Sequence, residues 1–143
     1  MADRQVIADF ARSMGIATSG LRAQAGRMRV ISENIANADS ASPTAGGDPY
    51  RRKVPSFTSE LDRALDARVV GIGKVRPDTS AFRIKHEPGN PAADASGNVK
   101  YPNVNPLIEM TDMRDAQRSY EANLNIISAT RRMLALTLNI IKS

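Results

Sequence analysis

His86 is the single histidine of the 143 residues, and Glu87 follows it in a stretch that alternates like a strand. A Ser-His-Asp arrangement needs an imidazole held by a carboxylate across space, and a metal site needs further His or Cys ligands. With no cysteine and no second histidine, neither is supported. Glu109, Asp112 and Asp115 cluster near the start of the last apolar run. A general acid–base pair is conceivable there, but carboxylates gather in the first turns of a helix through the macrodipole alone, and that electrostatic reading is the simpler one. Gly71-Ile72-Gly73-Lys74 lacks the spacing and the strand-to-helix context of a phosphate loop. Arg51-Arg52-Lys53 is the one basic cluster and reads as a solvated loop. The sequence therefore points to no catalytic residues, no cofactor and no metal.

The elements that would hold any site are two long helices. Met113, Tyr120, Ile127, Leu134 and Ile141 recur every seventh residue, with Leu124 and Leu138 four after two of them and Ala116 three after Met113. Asn105 can cap this run and Pro106 suits a first helical turn, where its missing N–H costs nothing. No Gly or Pro follows, so a helix from Pro106 to Ile141 would be roughly 54 Å long. At the other end of the chain Ile7, Met14, Leu21, Met28 and Ile35 also fall every seventh residue, and Phe10, Ala17, Ile31 and Ala38 lie three after four of them. Two seams of matched length predict an antiparallel coiled-coil pair. The first seam contains Gly15, Gly20 and Gly26, each about 1 kcal/mol worse than Ala in a helix, which suggests close approach of neighbouring backbone combined with a helix ordered only by packing.

Between the helices the chain is rich in turns. Asp39-Ser40-Ala41-Ser42-Pro43 and Gly46-Gly47-Asp48-Pro49 form a loop, and Tyr50 to about Phe57 should be extended. A short helix is expected over Thr58–Arg68, with Leu61 and Leu65 on one side. Strands are expected over Val69–Arg76, Ala81–His86 and Val99–Val104, with turns at 87–91 and 94–97. The expected fold is mainly α with a small β insert. The N-terminal heptad helix covers 1–38, a loop and small β-rich lobe cover 39–104, and the C-terminal heptad helix covers 105–143. The two helices would form one discontinuous core domain. A lobe of some fifty residues buries little surface and should lean on the helices or on partners.

The net charge of +5 is thin and spread: five basic against four acidic residues in 1–40, ten against seven in 41–100, and five against four in 101–143. Six aromatics, none of them Trp, are scattered. Nucleic-acid binders concentrate charge and interleave aromatics, so that partner class is set aside. No run is long or apolar enough for a membrane span, and the N-terminus, with Asp3, Arg4 and Asp9, does not read as a cleaved signal peptide. Export, if it occurs, is expected by a route without one.

The last helix has more apolar surface than one partner can cover. Ile126, Ala129, Met133, Leu136 and Ile140 form a second stripe beside the heptad seam. Such a helix must be covered on more than one side, and on a monomer the surplus marks an interaction surface. The expected assembly interface is Ile7, Phe10, Met14, Leu21, Met28, Ile31 and Ile35 with Met113, Tyr120, Leu124, Ile127, Leu134, Leu138 and Ile141. A repeating contact that does not close gives a helical filament or tube. A small coiled-coil adaptor in a closed oligomer is the alternative, and the second stripe argues against it.

Specific motifs accompany these seams. Gly20-Leu21-Arg22-Ala23-Gln24, then Val30-Ile31-Ser32-Glu33-Asn34-Ile35-Ala36-Asn37, and later Tyr120-Glu121-Ala122-Asn123 before the apolar helix, resemble the terminal signatures of the bacterial flagellar rod, hook and hook-associated axial proteins. Within that family Pro49-Tyr50-Arg51-Arg52, Pro88-Gly89-Asn90-Pro91 and Tyr101-Pro102-Asn103-Val104-Asn105-Pro106 are similar to the C-type proximal-rod branch, as is the short middle. The family's usual short turn after the Ile-Ala-Asn step is replaced here by the longer loop Asp39 to Asp48. The resemblance implies a structural role: export through the flagellar type III apparatus and polymerisation into the periplasmic proximal rod. It implies as partners other copies of the chain, sibling proximal- and distal-rod proteins, the adapter to the MS ring, and a rod-capping muramidase.

Overall fold

A computed structural model describes residues 2–142; Met1 and Ser143, the outer ends of the expected helical segments, lie outside the described residues. Helix α1 spans Ala2–Ala36 and helix α2 spans Pro106–Lys142. Between them run β1 (Lys53–Val54), β2 (Phe57–Asp62), β3 (Ala67–Ile72), β4 (Arg76–Pro77), β5 (Arg83–His86) and β6 (Asn98–Tyr101). The expected long terminal helices and β-rich middle are present. The start of α2 has the anticipated cap: Asn105 Oδ1 accepts the Leu107 N–H at 3.1 Å, and Pro106 opens the first turn. Beyond α1, the Asn37 and Ala38 N–H groups donate to the Glu33 and Ile35 carbonyls, and the chain leaves the helix there.

The strands form three two-stranded antiparallel ribbons, β1 with β4, β2 with β3, and β5 with β6. The β2–β3 ribbon corrects the short helix expected over Thr58–Arg68. It runs in register from Phe57 opposite Ile72 to Asp62 opposite Ala67. The Asp62 carboxylate accepts the N–H groups of Ala64 and Leu65 at 2.8 and 3.2 Å, and Asp66 takes a left-handed φ of 48°. Asp tolerates that conformation at 66, and the Asp62 side chain supplies the turn's acceptor. Local turn chemistry thus overrides the Leu61/Leu65 spacing that suggested a helix. The expected strand Val69–Arg76 is split, with Gly73, Lys74 and Val75 between β3 and β4. The other two expected strands are present in shorter form as β5 and β6, and β6 carries the fully buried Val99.

By packing, the chain falls into two units. The first takes α1 as far as Arg27, Phe57–Gly73, and α2 from Asp115. Its buried residues are small: Ala17, Gly20 and Ala23 on α1, and Ala116 and Thr130 on α2. The three glycines of α1 are approached by side chains rather than by the expected backbone. A Cβ at Gly15 would collide with Leu65, one at Gly20 would lie 2.8–3.0 Å from the Asn123 amide, and one at Gly26 would lie 2.8 Å from the Ile72 Cδ1 methyl. The hairpin is further fixed to α1 where Arg12 Nε donates to the Leu65 carbonyl at 2.9 Å and the Val70 N–H donates to Ser19 Oγ at 3.2 Å.

The second unit takes Met28–Ser56 and Lys74–Arg114. Val30, Ile31 and Ala38 from α1 and its exit are buried there, together with Ala92, Val99, Pro102 and Val104 from the β-rich segment. The small lobe draws on helix residues for its core, as its size requires.

Candidate assembly surface

In the second unit the end of α1, the segment 50–53 and the start of α2 meet on polar side chains. Asn34 is fully buried and Glu109 is 1 % exposed. The Asn34 amide donates to the Lys53 carbonyl at 2.8 Å and to Glu109 Oε2 at 3.2 Å. Its oxygen accepts the Tyr50 hydroxyl at 2.8 Å and the Lys53 N–H at 2.9 Å. Four hydrogen bonds exhaust what a primary amide can make. Glu109 receives Arg52 Nε, and Arg52 also reaches Asp78 at 3.3 Å and Asp112 at 3.8 Å. The Arg52 N–H donates to Asn103 Oδ1 at 2.8 Å, while the Asn103 amide donates to Asp78 and Ser80 oxygens.

Two expectations change here. Arg51-Arg52-Lys53 is not a solvated loop. Arg51 donates to the carbonyls of Asp78 and Ser80 and stacks 4.1 Å over Phe82, Arg52 neutralises Glu109, and Lys53 pairs with Glu33. Glu109 stands in the first turn of α2, yet the macrodipole is not what chiefly holds it, since a buried carboxylate requires a partner and Arg52 supplies one.

Electrostatics follow from these contacts. Burial, with the charges of Glu33 and Glu109, pushes the Tyr50 hydroxyl up to about 12, so it remains a donor to Asn34. Burial acts to lower the Arg52 guanidinium, but its bonds to Glu109 and Asp78 outweigh that and raise it. Hydrogen bonds from Ser80, and then Arg52, hold Asp78 below its ordinary value. Asn90 and Tyr101 do the same for Glu87, whose hydrogen bond in turn raises the Tyr101 hydroxyl. His86 is exposed on β5, 3.2 Å from Asn98 Oδ1.

Of the expected interface residues, Ile31 is buried; Phe10, Met14, Leu21, Met28, Ile35, Met113, Tyr120, Ile127 and Leu134 are half-buried; and Ile7, Leu124, Leu138 and Ile141 are exposed. The second stripe stands out further. Ile126 and Met133 keep about half of their surface, Leu136 keeps 63 % and Ile140 keeps 75 %. At 100° per residue this stripe lies roughly a quarter of a turn from the side carrying Ala116, Asn123 and Thr130. Leu107, Ile108 and Met110, at the start of α2, are also exposed and were not anticipated. The polar junction was missed as well. Periodicity cannot reveal it, but Asn34 and Arg52 sit inside the very motifs that carry the resemblance.

Exposed aliphatics along the long terminal helices mark a protein built to assemble. Comparison with known proteins agrees. Residues 14–42 match the family described as flagella basal body rod protein, and residues 95–140 match the C-terminal family of the flagellar basal body rod proteins FlgEFG. The flagellar basal-body rod protein FlgC of Agrobacterium fabrum is 52 % identical across 90 % of this chain and 92 % of its own length. FlgC of Bacillus subtilis is 38 % identical over 90 % of this chain and 95 % of its own, and that of Salmonella typhimurium 38 % over 87 % and 92 %. The chain belongs to the FlgC family of flagellar basal-body rod proteins. It is a structural subunit of the rod, with a non-enzymatic role at the basal body.

Proposed function

We propose that the subunit polymerises through its terminal helices into the proximal rod, the part of the drive shaft that links the MS ring to the distal rod and hook. The exposed stripe Ile126, Met133, Leu136 and Ile140 carries this reading, because large aliphatics in a row on one helix face need neighbours to cover them. The interface extends over the half-buried and exposed seam residues of both helices. Those helices run as an antiparallel coiled-coil pair. Two contacts support the pairing: Gly20 faces Asn123, and Asn34 bonds Glu109. Moving fourteen residues up α1 moves the contact fourteen residues down α2, as opposed directions require.

The neighbours are other copies of the chain, sibling proximal- and distal-rod proteins and the MS-ring adapter. The subunit reaches the periplasm through the flagellar type III apparatus, and a rod-capping muramidase accompanies assembly. Among the described residues no helix is long and apolar enough to cross a membrane. The test replaces Leu136 and Ile140 by Asp. Both are exposed in the subunit, so helicity by circular dichroism should stay unchanged while complemented cells lose rods and swimming. Normal motility of this variant would remove the basis of the proposal. A purified protein locked in one small closed oligomer at all concentrations would favour an adaptor instead.

A further inference from the structure

We propose that Asn34 and Glu109 fix the register of α1 against α2, selecting one pairing among several that the apolar seams alone would accept. This rests on the antiparallel pairing proposed above. Both seams repeat every seven residues. Sliding one helix along the other by a heptad, about 10 Å, returns large apolar side chains to equivalent places. A seam by itself is therefore degenerate.

The polar residues are not. Asn34 is fully buried, and one of its four hydrogen bonds goes to Glu109, itself buried and paired with Arg52. Seven residues further along α2 the buried position is Ala116, which offers no partner. A slip that places Asn34 there strands an amide hydrogen and takes Glu109 away from its neutral donor. Two heptads back on α1, Gly20 leaves the space that the Asn123 amide occupies. The same slips would set Asn123 against Arg27 or Ser13. Each polar contact thus penalises the alternative registers while the seams are indifferent to them. A single buried Asn performs this role in coiled coils generally.

The test uses the absence of cysteine from the chain. Arg29→Cys and Leu107→Cys, both exposed positions, place two spin labels seven residues out of opposition. Pulsed dipolar spectroscopy on the full-length protein should give one distance, and Glu109→Gln, which keeps one acceptor oxygen for Asn34 while Arg52 retains Asp78 and Asp112, should preserve it. The double variant Asn34→Leu/Glu109→Leu removes both polar groups together, so neither strands the other, and Arg52 keeps Asp78 and Asp112. It should keep its helicity and show a second population in which the axial separation of the labels has changed by about 10 Å. One unchanged distance in the double variant would overturn the register proposal while leaving the helix pairing intact. Loss of helicity in that variant would also overturn it, since the seams are held here to suffice for the helices. A broad distribution without either substitution would instead refute the antiparallel pairing itself, and the proposal with it.

Discussion

Asn34→Ala offers the sharpest quantitative test of the polar junction. The substitution deletes four hydrogen bonds and leaves four groups on three residues behind: the Tyr50 hydroxyl, both backbone groups of Lys53, and the buried Glu109 carboxylate. At about 1 kcal/mol per hydrogen bond the loss is about 4 kcal/mol, and stranding a donor or acceptor raises each contribution toward the upper end of the usual range. Water entering the vacated space offsets part of this, so we expect about 3 kcal/mol. For a chain of this size that lowers the melting temperature by about 10 °C. Urea denaturation followed at 222 nm measures it, with Tyr50→Phe as the internal reference, because that change removes a single hydroxyl bond and should cost about 1 kcal/mol. If Asn34→Ala costs no more than Tyr50→Phe, the amide is not the centre of the junction, and the reasoning fails.

Other outcomes follow from the same contacts. Gly26→Ala should gain up to about 1 kcal/mol of helix propensity, since only a terminal methyl of Ile72 stands in the way. Gly20→Ala should destabilise, because the Asn123 amide it meets is held by a bond to the Ser119 carbonyl; the opposite ranking in thermal melts would refute the packing. Asp78 and Glu87 titrate below their ordinary values, so their contribution is present above an unfolded pKa of about 4 and is lost as pH falls through the depressed folded values. Urea midpoints should therefore drop in acid, and less so in Asp78→Asn. Tyr50 works in the other direction: its contribution is complete below pH 10 and is lost as pH rises toward about 12, and Tyr50→Phe should flatten that alkaline limb. Ile127→Asp or Leu134→Asp should abolish rod assembly and swimming while export continues, and normal swimming would remove these seam residues from the interface.

What the sequence disclosed depended on how far each signal reaches along the chain. Both helices and the Asn105-Pro106 start were legible because periodicity and capping are local. The hairpin was not, since Leu61 and Leu65 fit a helical spacing and the decisive features, the Asp62 side chain as turn acceptor and a left-handed Asp66, show only when the chain is folded. The junction was hidden for a related reason. Arg52 and Glu109 are 57 residues apart, and each taken alone has an ordinary surface explanation. Its motifs were visible in the resemblance, but as signatures without a physical role.

The inside of the first unit is not filled by the large residues of the heptad pattern. Its buried positions are Ala17, Gly20, Ala23, Ala116 and Thr130, while Ile126, Met133, Leu136 and Ile140 remain outside. Small residues inside allow close approach but bury little apolar surface, and the large side chains that could stabilise the unit are left in water. Fully burying such a side chain is worth about 1.5–3 kcal/mol, and these four retain roughly half to three-quarters of their exposure, so covering them would yield about 4–7 kcal/mol per copy. Association costs of about 4–15 kcal/mol consume a gain of that size. One neighbour is then too few, and stability must come from several at once. A purified subunit should accordingly stay monomeric at micromolar concentration in sedimentation velocity and join only a preformed end that presents several partners together. A tight dimer of the isolated subunit would show that a single contact suffices and that this division of small and large residues does not serve assembly.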